Sequence, residues 1–168
     1  MTCGASGRAS FLVRGEAVPQ GSTRAFIPKG WSRPVITTTA KGLGAWRRLV
    51  ADQAQAHAPP VPWDVGVSVR LTFYLPRPKS EPKRRRTYPA RRPDIDKCAR
   101  AVLDALTSVF WDDDSRVLVL HAEKRWANDP FAMIASGPPW REGGPFQYPP
   151  GVLIEAWPVE EGETHGRA

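Results

Sequence analysis

Cysteine is scarce in this chain: Cys3 and Cys98 are the only two, and they form no C-x-x-C pair. That count argues against a structural zinc site and against a disulfide framework. Cys98 falls in an apolar helical pattern, a usual setting for a buried free thiol, and both cysteines suit a reducing compartment. Long apolar runs are missing too; nothing approaches the ~20 residues that span a bilayer. Residues 1–8 are small and polar, without the apolar core of an export signal. A soluble, cytoplasmic protein is the expectation. No glycine-rich phosphate loop occurs, which counts against a nucleotidyltransferase. Acid is in deficit, with 17 Asp and Glu against 24 Lys and Arg, a net charge of +7. Such a balance points to a polyanionic partner, with nucleic acid the leading candidate.

What is present suffices for one domain. The 168 residues are 41% hydrophobic, enough for a single core. Residues 11–18 read as a first strand, closed by the turn Pro19-Gln20-Gly21-Ser22. Short β-rich runs at 24–27 and 35–39 flank a Lys29-Gly30 turn and suggest a hairpin. Residues 45–57 read as a helix in which Trp46, Leu49, Val50 and Ala54 recur at helical spacing; Pro59 and Pro60 end it. Val65, Val67, Val69, Leu71, Phe73 and Leu75 alternate with more polar positions, the period of a half-buried strand. A second helix is predicted over 96–109, with Ala99, Val102, Leu103 and Leu106 as its apolar stripe. Residues 117–125 and 152–157 read as strands. Residues 127–150 read as a Pro- and Gly-rich loop or hairpin insertion, and a disordered tail is expected over 159–168. The fold class is α+β: a single domain over 1–158, a mixed sheet with two main helices.

Two neighbouring segments stand out. Residues 76–93 carry Arg77, Lys79, Lys83, Arg84, Arg85, Arg86, Arg91 and Arg92 against one acid, Glu81. Such a block cannot pack a core and is predicted to be an exposed loop. Directly after it come Asp94 and Asp96 at a helix start, and then the acidic turn Trp111-Asp112-Asp113-Asp114. Carboxylates beside a basic loop suggest a metal site placed where phosphates are drawn in. Hard oxygen ligands suit Mg²⁺ or Mn²⁺ rather than zinc. The plainer alternative is that an Asp at a helix start caps exposed N–H groups and that the DDD turn is merely solvated. Trp111 is open to two roles, stacking on a base or packing in the core. Asp96, Arg100 and Asp104 share one helix face at i, i+4, i+8.

The run Pro93-Asp94-Ile95-Asp96, then Ala101-Val102-Leu103-Asp104-Ala105-Leu106, then Asp113-Asp114-Ser115-Arg116-Val117 and Ala122-Glu123-Lys124-Arg125, resembles the RusA family of Holliday junction resolvases. The likeness is closest over 93–126. It implies a homodimeric, Mg²⁺-dependent endonuclease that nicks opposing strands of a four-way DNA junction. It matches Asp94 and Asp96 to the DxD metal ligands and Asp114 to the acid of the turn, with Asp113 a weaker candidate and Asp104 a structural position. The family's lysine, four residues after the second DxD aspartate, is replaced here by Arg100. Arginine is a planar fork that holds phosphate bidentately but hardly gives up a proton. Lys97, on a different helix face, is the alternative cation. The expected DNA-binding set is Lys83, Arg84, Arg85, Arg86, Arg91, Arg92 and Lys97.

Chain length already constrains the metal site. A straight helix over 96–109 is ~20 Å long, and the link from Phe110 to Asp114 reaches at most ~16 Å. Either the helix is shorter or bent, or Asp114 comes from a partner subunit; both stay open. Two competing functions remain as well: a non-catalytic junction-binding protein, and a DxD nucleotidyltransferase. The latter class carries a Gly-Ser pair shortly before its DxD, whereas Gly21-Ser22 lies far upstream.

Overall fold

The computed structural model describes residues 7–21, 23–38, 40–82, 84–129 and 148–159. The first strand, β1 (Ala9–Arg14), turns Ala9, Phe11 and Val13 into the core. It stops four residues short of the predicted end. Gly15 follows at φ +143 and donates its N–H to the Pro150 carbonyl at 2.9 Å. A side chain there would be strained by that φ and would also meet the Trp46 ring at 3.2 Å. The hairpin at the Lys29-Gly30 turn forms as expected, from β2 (Thr23–Phe26) and β3 (Val35–Thr38), as a separate two-stranded sheet.

Helix α1 (Leu43–Gln55) begins and ends two residues ahead of its predicted span. Gly42, at φ +85, turns the chain into it, and the Trp46 N–H bonds the Gly42 carbonyl at 2.9 Å. Leu43, Trp46, Val50 and Ala54 form its buried stripe.

β4 (Val67–Leu75) is followed by α2 (Ile95–Leu106), then by a 3₁₀ turn (Asp114–Arg116), β5 (Val117–Trp126) and β6 (Gly151–Pro158). The main sheet has the order β1-β6-β4-β5. β6 runs antiparallel to both β1 and β4, whereas β4 and β5 are parallel. A parallel pair needs a crossover, and α2 supplies it. The fold is thus α+β, a mixed sheet with two main helices. Among the described residues, no helix is long and apolar enough to cross a membrane.

β4 is more buried than its alternation implies. Only Arg70 is exposed; Ser68 and Thr72, on the polar side, are both buried. Sheet neighbours on both edges of β4 and large side chains on its second face account for this. Tyr148 stacks on Tyr74 at 4.3 Å, and the Thr72 hydroxyl donates to Glu123 Oε1 at 3.0 Å.

α2 stops at Leu106, three residues before its predicted end. Thr107 already leaves the helical region, its hydroxyl and N–H both bond the Leu103 carbonyl, and Ser108 takes φ 68. The chain then drops Phe110 and Trp111, both wholly buried, into the end of the core. The Trp63 N–H clasps the Phe110 carbonyl at 2.7 Å, and the Trp63 ring leans on Phe110 at 5.4 Å. Each large apolar side chain so enclosed contributes roughly 1.5–3 kcal/mol. Of Trp111's two possible roles, packing is the one the fold gives it. The helices meet through the Arg47–Asp104 ion pair, which occupies Asp104. The pair is about a third exposed, so it fixes orientation more than stability. Most of the insertion predicted over 127–150, and the tail from 160 onward, lie outside the described residues, as does Lys83.

Candidate functional site

The two aspartates of the DxD motif sit on the first turn of α2. Asp94 occupies the N-cap position, and its carbonyl accepts the first helical bond, from the Cys98 N–H at 3.1 Å. Its side chain makes no capping hydrogen bond. It is half-exposed and faces Lys97 Nζ at 3.1 Å. Asp96 is exposed within the same turn. The capping explanation for this motif therefore fails at the side chain. Asp96 is open to an outside cation, whereas Asp94 shares its carboxylate with Lys97; both lie in the positive field of the helix N-terminus.

The stretch before them is held from beneath. Lys124, late in β5, donates from Nζ to the Arg91 carbonyl at 2.7 Å and to the Pro93 carbonyl at 3.0 Å. The peptide between Arg92 and Pro93 is cis. Gln20 reaches the same turn, donating its N–H to the Lys97 carbonyl at 3.0 Å. Under the turn lies Cys98, whose thiol burial pushes up to about 11. Such a thiol stays protonated and inert at neutral pH. Lys124 is visible in the sequence only as part of the Ala122-to-Arg125 run. Its partners are main-chain carbonyls on another element, which no local pattern signals.

The basic loop is exposed yet anchored. Arg77 Nη2 donates to the Pro82 carbonyl at 2.8 Å, and Trp126 Nε1 donates to Thr87 Oγ1 at 3.1 Å. Between these anchors Arg84, Arg85 and Arg86 face solvent, with Arg86 stacked over the Tyr88 ring at 5.2 Å. Arg91 and Arg92 are also exposed, directly beside the DxD.

Asp114 lies elsewhere. It precedes β5, whereas Lys124, which touches Pro93, is near that strand's far end. From Val117 to Lys124 the strand climbs about 23 Å at about 3.3 Å per residue. The α2 axis gives the same answer, about 18 Å for its twelve residues. Around Asp114, Asp112 is exposed and Arg116 is paired with Asp64. Asp113 accepts the Ser115 N–H at 2.9 Å, and these Ser115 bonds hold its carboxyl below the usual range. Asp113 is thereby the cap of its turn. Among the described residues, no three His, Cys, Asp or Glu side chains lie close enough to hold one metal ion. One chain brings Asp94 and Asp96 together and keeps Asp114 away.

A family model described as endodeoxyribonuclease RusA matches residues 16–135. The chain belongs to the RusA family. Among curated proteins it is similar to an uncharacterized protein, YqaN, of Bacillus subtilis (strain 168). The two are 30% identical over 129 residues, which cover 71% of this chain and 89% of that protein. The RusA match encloses the basic loop, the DxD turn, the DDD turn and β5, so every described candidate residue lies inside it.

Within that RusA region the cation question becomes sharper. Lys97 is engaged with Asp94. Arg100 is exposed one turn beyond Asp96, on the same helix face. If Arg100 clamps the phosphate, Arg100→Lys retains substantial cleavage and Arg100→Ala loses most of it, at least tenfold by analogy with other single electrostatic contacts. Cleavage rates of the two variants on one labelled junction check this. A wild-type rate for Arg100→Ala would hand the role to Lys97.

Proposed function

We propose that this protein is a Mg²⁺-dependent, structure-specific endonuclease. It resolves Holliday junctions or related branched DNA by paired nicks, and it works as a homodimer. The observation that carries the reading is the uncapped, exposed pair Asp94 and Asp96 at the N-terminus of α2, beside an anchored loop of exposed arginines. The donor set fits the metal: carboxylate oxygens alone, which suit Mg²⁺ or Mn²⁺. Asp94 and Asp96 of one protomer would hold it, and Asp114 of the partner would complete the set. The separation of about 20 Å within one chain, by helix rise and strand rise alike, supports this supply in trans. When bound, the ion activates water and offsets charge developing on the scissile phosphate.

The chain's own groups do the rest. Arg84, Arg85, Arg86, Arg91 and Arg92 draw in and seat the phosphate backbone. Arg100 holds the scissile phosphate with its two-pronged fork. Lys124 fixes the backbone that aims the DxD carboxylates.

A non-catalytic binder is favoured by one observation, that a single chain assembles only two of the three carboxylates. Incubating the protein with labelled four-way junction, fork and linear duplex, in Mg²⁺ and in chelator, separates the two. Metal-dependent paired nicks in the junction support the proposal, and binding without cleavage in any metal overturns it. The basic loop has its own test. Neutralising Arg84, Arg85 and Arg86 together lowers the slope of log K against log salt, on every DNA shape. The drop is roughly 0.9 for each phosphate that these side chains neutralise. An unchanged slope would mean the loop points away from DNA.

A further inference from the structure

The β2–β3 hairpin stands apart from the main sheet. Among the described residues its strands pair only with each other. Its end nevertheless holds three large apolar side chains in the open: Phe26 is 51% exposed, Ile27 62% and Trp31 63%. None of the three belongs to the hydrophobic core. The backbone under Trp31 is fixed, since its N–H closes a turn on the Pro28 carbonyl at 3.0 Å. Apolar side chains grouped on the outside in this way mark a binding surface.

Charge identifies the occupant. Between Glu16 and Asp52 the chain has no acid, while it carries Arg24, Lys29, Arg33, Lys41, Arg47 and Arg48. Lys29 and Arg33 flank Trp31 on either side, and both are exposed. An aromatic ring set among cations suits a nucleic acid strand, because the cations track the phosphates and the ring takes the face of a base. The hairpin is also rooted at the candidate site. Gln20, just before β2, donates its N–H to the Lys97 carbonyl in the first turn of α2. Four-residue strands then carry the tip about 13 Å from the hairpin's base, at about 3.3 Å per residue.

We propose that the hairpin tip is a stacking probe for base faces bared at a DNA branch point. Trp31 lies on a base whose face is left open where the arms of a branched molecule part. Phe26 and Ile27 shield that contact from water, and Lys29 and Arg33 hold the flanking phosphates. Linear duplex keeps its base faces inside the stack, so there only the cations engage. Phosphate contacts position a protein on DNA; the ring adds the preference for a branch. The inference deepens the branched-DNA reading above and rests on it.

The test reads binding by the full chain in chelator, where cleavage plays no part. The probes are a fork with a single-stranded arm, a four-way junction and a linear duplex, all at one salt concentration. Trp31→Ala changes an exposed side chain, so it keeps its thermal transition and circular dichroism. It weakens fork and junction binding about 5- to 150-fold, the loss of one stacked base, and leaves duplex binding unchanged. Trp31→Phe restores most of the loss. The slope of log K against log salt stays at its wild-type value in Trp31→Ala, and falls by roughly 0.9 per lost contact in Lys29→Ala/Arg33→Ala. Wild-type affinity of Trp31→Ala for fork and junction overturns the proposal. So does an equal loss on linear duplex, or a Trp31→Phe variant as weak as Trp31→Ala. Unchanged DNA binding with altered sedimentation would make the tip a protein contact, and overturns it too. A protein that shows the Trp31 effect yet cuts no junction in Mg²⁺ leaves the stacking role standing and sinks the nuclease reading alone.

Discussion

Asp96→Asn abolishes junction cleavage and leaves junction binding intact or tighter. Loss of a group that merely orients a metal ligand costs 10–100-fold, so loss of a ligand itself is expected to exceed a hundredfold. Binding goes the other way because it rests on cations. On the proposed reading the arginines of the loop meet the phosphates, and removing a carboxylate charge beside them removes a repulsion. Asp94→Asn behaves alike, with one added consequence: Lys97 loses the partner it has at 3.1 Å. Cleavage rate and binding constant, measured on the same labelled junction at fixed salt, check both halves. Full Mg²⁺-dependent activity in Asp96→Asn would sink the metal assignment. Equal loss of binding and cleavage would make these aspartates structural.

The legible parts of this molecule are the local ones. Helical spacing marks α1 and α2 because a buried stripe must recur with the turn of the helix, and Val50, Ala54, Val102 and Leu106 do so. The hairpin follows from two β-rich runs around Lys29-Gly30. The DxD and DDD turns each gather their acids within a few residues, so a sequence motif suffices to find them. Chain reach alone also exposes the difficulty with Asp114. α2 ends three residues earlier than its spacing predicts, at Leu106, and the separation remains.

Other features depend on what comes back from far along the chain. β6 inserts between β1 and β4, and its coverage of β4 turns an apparently half-solvated strand into an interior one. The end of α2 is set by Ser108 and by the burial of Phe110 and Trp111 against Trp63, a segment that lies far upstream in the chain. Asp94 has the look of a cap, yet whether its carboxylate turns inward or toward Lys97 is a matter of side-chain geometry. The hold of Lys124 on the DxD approach depends on which strand end lies under which loop. Propensity and spacing carry no information about any of these pairings.

Mixing two inactive variants restores nicking if the site is shared. Asp96→Asn and Asp114→Asn each lack one ligand, so each homodimer is dead at both sites. In a mixed dimer with trans supply, one site collects both lesions. The other joins the intact DxD of the Asp114→Asn protomer to the intact Asp114 of the Asp96→Asn protomer. After random exchange about half the dimers are mixed and one of their two sites is whole, so single-strand nicking returns at roughly a quarter of the wild-type rate. Paired nicking does not, because no dimer holds two whole sites. With cis supply every site in the mixed dimer carries one lesion, and nothing returns. Exchange itself is verified first, by pull-down of an untagged variant through a tagged one. Pulled-down heterodimers that fail to nick would place Asp114 outside the partner's site. That outcome is hard to reconcile with any three-carboxylate centre, because α2 and β5 each put about 20 Å between Asp114 and the DxD of its own chain. A two-aspartate site would then be left, and Asp114→Asn alone would have to be explained through the turn that it opens before β5.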